Sequence, residues 1–263
     1  MVCLSFDIEE FPVLHEKGIV LPIEKEVEIS VIGTNKILDI LKKHNIQATF
    51  FCTVNFVIYA PDTVKKIINL GHEIASHGVF HCKPRYDDPV LSKQIIEYCI
   101  DNVVYGYRQP QMFSSSDSLI SKCNYLYNSS INPTFIPGKY MNLKIPRTPF
   151  IKSNVLQIPS SVTPYTRFPL FWLSLHNLKE SIYYRMVMSV IKHDGFFNTY
   201  FHPWEFVDHT QEIKKHMLPI VKKNIGTNMC VRLDNLISKL LYENVDFLTY
   251  KEFANLYLSR YHG

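Results

Sequence analysis

In the stretch GHEIASHGVFH, His72, His77 and His81 fall within ten positions of a chain that has only eleven histidines. His77 and His81 are four apart. On a helical turn that spacing sets both imidazoles on one face, within reach of one borderline cation such as zinc. His72 directly follows Gly71 and begins a strand, so it reads as a buried, hydrogen-bonded residue rather than a ligand. H-x-x-x-H alone also fits an ordinary core, and an ion needs a further donor. FDIEE offers one: with the strand continued, Asp7 and Glu9 share a face. Two like charges side by side in a cleft call for a cation, an arginine or both, although the same residues fit an acidic surface loop. Arg108, in YGYRQPQMF, could fix Asp7 in the ionised form a general base needs; a surface ion pair is the alternative. His202, between FFNTYF and Pro203-Trp204, is placed either to pack or to donate a proton near neutral pH.

These residues sit at the ends of recurring elements. Val2 to Asp7 reads as a buried parallel strand. TNKILDILKK, from Thr34 to Lys43, has helical spacing with Thr34 as N-cap. ATFFCTV (48 to 54) reads as a strand, and Pro61 opens a helix that Gly71 stops. Glu73 to Ser76 is a strand, 90 to 103 a helix and Val104 to Tyr107 a strand. Strands alternating with helices predict a parallel sheet covered by helices, open or closed into a barrel with reactive groups at the C-terminal strand ends. Residues from about 126 to 175 are rich in Pro, Asn, Ser and Tyr and read as a long irregular excursion walling a cleft. Helices near 178 to 192 and 228 to 243, a strand at 196 to 201 and a final helix complete one domain over 1–263.

The composition narrows the class. With 46% hydrophobic and 20% charged residues, 263 residues make a globular chain with a large core. A net charge of +4 with scattered lysines is no nucleic-acid footprint. Six cysteines without paired spacing read as reduced core thiols. MVCLSFDIEEF lacks a basic segment followed by a long apolar one, and the expectation is a cytoplasmic chain.

Taken in order, FDIEE, ATFFCTV, GHEIASHGVFH, YGYRQPQMF and YFHP resemble the motifs of the polysaccharide deacetylase family (NodB homology, carbohydrate esterase family 4), from about residue 2 to 205. The resemblance implies a distorted (β/α) barrel. It implies a metal, usually zinc, on two histidines and a carboxylate, and a bound water that attacks an N-acetyl carbonyl. Carried onto this chain, Asp7 is the base, Arg108 its orienting partner, His202 the acid, and His77 and His81 the imidazole ligands. Most members have two adjacent aspartates in the first motif, the second binding metal. Here Ile8 follows Asp7, and the D-x-E form makes Glu9 the carboxylate ligand. Many members also have an aspartate near Tyr127-Asn128 that orients the acid histidine. Asn128 lacks the charge, which leaves Glu205 and Asp208 as candidate partners of His202.

The expected substrate is a carbohydrate or glycoconjugate, with Pro110, Trp204, Tyr165 and Trp172 as binding residues. The aromatic stretch SVTPYTRFPLFWLSLHNL fits a lipid-linked sugar at a membrane surface, a helix packed on the barrel, or a contact within a homo-oligomer. Two other readings stand beside sugar deacylation: a cyclic amide or ureide hydrolase of the same fold, and a sugar-binding pseudoenzyme that retains the cleft.

Overall fold

In β1 (Val2–Ile8) all seven residues are buried, as a strand covered on both faces requires. The computed structural model describes residues 1–82 and 84–261. Following β1 are β2 (Thr49–Cys52), β3 (Glu73–Ser76), β4 (Gly106–Tyr107), β5 (Tyr127–Asn128), a hairpin of β6 (Phe135–Ile136) and β7 (Tyr140–Met141), β8 (Phe150–Lys152), β9 (Val155–Gln157) and β10 (Phe197–Phe201). One sheet runs β10-β1-β2-β3-β4-β5-β9-β8. Its pairings are parallel except β8 with β9.

The sheet curls until its two ends approach. Asn198 in β10 donates from Nδ2 to the Pro159 carbonyl at 2.8 Å, and its backbone N–H donates to Ser161 Oγ at 2.9 Å. This is the expected distorted barrel, closed by a segment just past β9 rather than by a regular ladder. Helices cover its outside over a core that includes Phe6, Phe50, Phe197, Phe201, Ile37 and Leu233.

Two expectations need correction. The first long helix runs Ile23–Lys43, and Thr34 lies buried inside it rather than at its start. Glycine disfavours a helix interior, but at Gly33 tertiary packing overrides that preference. A Cβ on Gly33 would overlap the Pro203 carbonyl, so glycine lets the helix approach the turn after β10. The segment 126–175 is also not one irregular excursion, because β5 and β9 inside it are barrel strands. Each is two or three residues long, too short to leave a period-2 signal. The six cysteines are unpaired, but only Cys3 and Cys52 are buried and Cys99 is exposed. No described helix is long and apolar enough to cross a membrane.

Candidate active site

Strand register brings the reactive residues together. Ile8 pairs with Cys52, Cys52 with Ser76 and Ser76 with Tyr107. The next residue along each strand therefore stands at one level: Glu9, Thr53, His77 and Arg108. Backbone bonds continue the ladder to that level, Thr53 N–H to Ile8 O at 3.0 Å, His77 N–H to Cys52 O at 2.9 Å and Arg108 N–H to Ser76 O at 2.9 Å. On the other side of β1, Phe6 pairs with Phe201, which sets Asp7 level with His202. All of these lie at the C-terminal ends of parallel strands, where barrel loops carry reactive groups.

Glu9, His77 and His81 each turn a donor atom to one point, with the three atoms within 4.8 Å of one another. His81 Nε2 stands 2.8 Å and His77 Nε2 3.6 Å from Glu9 Oε2. Ligands of one tetrahedral zinc would stand about 3.3 Å apart, from metal–ligand distances near 2.0–2.1 Å. Oε2 of Glu9 and Nε2 of His77 are buried without a hydrogen-bond partner. Buried polar atoms are almost always paired, so these two orphans facing each other fit a cation between them. The remaining His77 nitrogen fixes the tautomer. The Arg108 carbonyl can only accept, so Nδ1–H donates to it at 2.9 Å, leaving the Nε2 lone pair free to ligate. The Glu9 carboxyl is held below the usual carboxylate range: burial opposes ionisation, and the nearby imidazoles of His81, His202 and His77 overcome it. Backbone anchors Glu9 as well, since Ser30 of the long helix donates its hydroxyl to the Glu9 carbonyl.

His77 and His81 do not share a helical turn as their spacing suggested. The chain leaves β3 into a loop in which Gly78 has φ +75°, a conformation open to glycine. Gly78 also packs against Pro110, whose ring a Cβ would press at 3.0 Å. His72 is buried, and its Nδ1 accepts the Ala48 N–H at 3.2 Å. This buried, hydrogen-bonded placement just before β3 is the one its sequence position implied.

Arg108 is fully buried, and every arm of its guanidinium is used. Nη1 donates to Asp7 Oδ1 at 2.5 Å and Ser5 Oγ at 2.9 Å, Nη2 to Ser129 Oγ at 3.0 Å and Tyr250 OH at 3.1 Å, and Nε to the Ser129 carbonyl at 3.1 Å. The carboxylate is thus held through one arm and not in the bidentate mode that the residue types allow. The guanidinium carbon stands over the Phe51 ring, 3.9 Å from the ring centre, a cation–π contact between two buried side chains. Ser5, Ser129 and Tyr250 escaped the sequence reading because serines and a tyrosine spread over the chain carry no spacing signal.

The partner of His202 is Glu205. Asp208 instead accepts from Thr227 at the start of the helix Thr227–Tyr242. Glu205 lies three residues after His202 in a 3-10 turn, a spacing that recurs in helix-capping boxes and that could have decided between the two in the sequence. Asn128 belongs to a neutral network, donating to Gln157 Oε1 at 2.9 Å and accepting from Ser130 Oγ at 2.5 Å.

The four expected substrate contacts separate. Pro110 is buried against Gly78, and Trp172 stands edge-on to His202 at 5.3 Å. Trp204 is buried and stacks on His202 at 5.6 Å, so it packs His202 in place instead of offering a sugar an open face. Tyr165 is 88% exposed and stands edge-on to His193. That histidine closes the helix Glu180–Asp194, which leads into the start of β10, whereas His202 follows the strand's end. Tyr165 is therefore outside this constellation.

The sequence profile described as polysaccharide deacetylase matches residues 22–103, the span that contains His77 and His81. Over that span the chain is similar to the polysaccharide deacetylase family. A peptidoglycan-N-acetylglucosamine deacetylase, PgdA of Listeria monocytogenes, is 41% identical over 61 residues, 23% of this chain and 12% of its own length. Such matches span 12–18% of the first relatives' lengths. Among solved structures, a protein assigned as a polysaccharide deacetylase from Mycobacterium smegmatis superposes with a TM-score of 0.70 at 15% identity, covering 98% of this chain and 90% of its own. A carbohydrate esterase family 4 pseudoenzyme from Bacillus anthracis superposes at 0.55 and 15% identity, over 97% and 65%. At these identities the superpositions establish the fold.

Proposed function

We infer that this chain is a member of the polysaccharide deacetylase family and a metal-dependent hydrolase that removes an N-acyl group, N-acetyl as the leading case, from a sugar or glycoconjugate. The observation that carries the reading is the pair of orphaned buried atoms, Glu9 Oε2 and His77 Nε2, beside an Asp7 held by Arg108. Glu9, His77 and His81 would hold a divalent ion, with zinc suited to the nitrogen-rich donor set. When bound, such an ion acidifies a water and polarises the acyl oxygen.

The chain's own residues do the rest. Asp7, kept in place by Arg108, takes the proton of the attacking water as the new C–O bond forms. His202 gives a proton to the sugar nitrogen as the C–N bond breaks, releasing carboxylate and amine. Glu205 accepts the Nδ1–H of His202 at 2.8 Å, which leaves Nε2 as the atom that delivers the proton. Trp172 and Trp204 wall the imidazole and exclude water from that transfer.

The test is acetate release from N-acetylglucosamine oligomers by purified chain, stripped of metal and reloaded with zinc, cobalt or nickel. Release that depends on added metal supports the reading. A chain that binds metal and opens a cyclic ureide but releases no acetate belongs to the other hydrolase class. A chain that binds the sugar, with metal loaded, and turns over neither substrate is a binding protein.

A further inference from the structure

Between Asp117 and Glu180 the sequence has no acidic residue, yet it has seven lysines and arginines. The hairpin β6–β7 lies in this span. Its strands pair Phe135 with Met141 and Ile136 with Tyr140. Neighbouring pairs of a hairpin point to opposite faces, and the two faces differ. Ile136 and Tyr140 pack inward with Met112, Phe171, Tyr200 and Trp172, and Trp172 and Tyr200 stand edge-on to His202. Phe135 and Met141 face outward, 51% and 82% exposed, and Leu143 just beyond is 50% exposed.

The hairpin is also braced. Arg167 donates from Nη1 to the carbonyls of Pro133 at 3.2 Å and Ile145 at 2.8 Å, on the two sides of its base. Thr134 donates its hydroxyl to the Arg167 carbonyl at 2.7 Å. Arg147 and Lys152 are paired with Asp194 and Asp117. Lys139 at the hairpin tip and Lys144 beside it are exposed and make no ion pair among the described residues.

We propose that the outer face of this hairpin docks on an anionic lipid surface, with Phe135, Met141 and Leu143 entering the headgroup boundary and Lys139 and Lys144 on the headgroup charges. An apolar face flanked by lysines, in a span of sequence without acids, is the pattern of interfacial anchors. A soluble polyanion would use the lysines but gain nothing from three exposed apolar side chains. The inner face of the same hairpin walls the His202 side of the cleft, so docking holds the cleft mouth at the membrane, where lipid-linked amides are presented. Surface docking itself is independent of the hydrolase reading.

The purified full chain is sedimented with vesicles of phosphatidylcholine alone and with about 30% phosphatidylglycerol. Binding to the anionic vesicles only is expected. Lys139→Glu with Lys144→Glu, and separately Phe135→Ser with Met141→Ser, should each lower the partition coefficient at least tenfold. All four side chains are exposed, and unchanged thermal unfolding checks that the variants fold. A tryptophan at Met141 should show blue-shifted emission on the same vesicles. Equal binding to both vesicles, binding to neither, or apolar variants that bind like the parent would each overturn the proposal. Binding with no hydrolase activity on any amide would leave the docking surface standing and remove the proposed function.

Discussion

Glu205 holds His202 twice with one oxygen: Oε1 accepts the Nδ1–H at 2.8 Å and the backbone N–H at 2.6 Å. Its other oxygen takes the His176 Nε2–H at 2.8 Å. This carboxylate, three residues from His202, supplies the charge that Asn128 lacks.

That contact sets a pH dependence. His202 binds its proton more tightly than an ordinary imidazole: burial works against the charge, but Glu9, the Glu205 hydrogen bond and charge, and Asp7 outweigh it. As an acid it works only while protonated, so the rate falls on the alkaline side as the proton is lost. Glu205→Gln removes a charge that favours the imidazolium and should move the alkaline limb of kcat/KM to lower pH, with roughly a 10–100-fold loss. An alkaline limb that stays in place in the variant excludes Glu205 from this role.

Metal binding and proton abstraction should separate by mutation. Asp7→Asn should keep roughly one divalent ion per chain and lower kcat about 10²–10⁴-fold. His81→Ala should lose the ion as well as the activity. Elemental analysis of both variants beside their turnover is the check, and an Asp7→Asn protein at full rate would remove Asp7 as the base.

Gly33→Ala should have the opposite sign from an exposed helix site, where alanine stabilises by about 1 kcal/mol. Here the methyl meets the Pro203 carbonyl, and overpacking costs about 1–3 kcal/mol. Urea unfolding should show the loss. Turnover should fall too, because the displaced turn carries His202 and Glu205.

His72 should make the fold acid-sensitive. Burial lowers its pKa to about 4, whereas in the unfolded chain it titrates near 6.5 (about). The unfolded state therefore binds the proton first, so stability is full above that range and falls as pH drops from about 6.5 towards 4. His72→Gln should flatten this part of the stability curve, measured by denaturant unfolding at pH 7 and pH 5. Equal slopes in parent and variant would rule the histidine out as the cause.

The sequence by itself determined the pieces whose chemistry is local. Asp7, Arg108, His77 and His81 could be singled out from residue type, order and the motifs they resemble, and the fold brings them together. β1 and β2 were legible because each is a β-rich run of four or more residues, and β3 because it follows the helix stop at Gly71. Tertiary structure decided what depends on distant backbone. β5 and β9 are too short to have a pattern and exist as strands only because their neighbours complete the ladder. Thr34 looked like a cap, but the helix begins eleven residues earlier and packs at Gly33 against the turn at Pro203. Tyr165 and Trp172 stand in one aromatic stretch, but the chain's path takes one away from His202 and the other to it. Spacing along a chain specifies which side chains can share a face; which faces meet is fixed by strand register and by close packing between segments far apart in sequence.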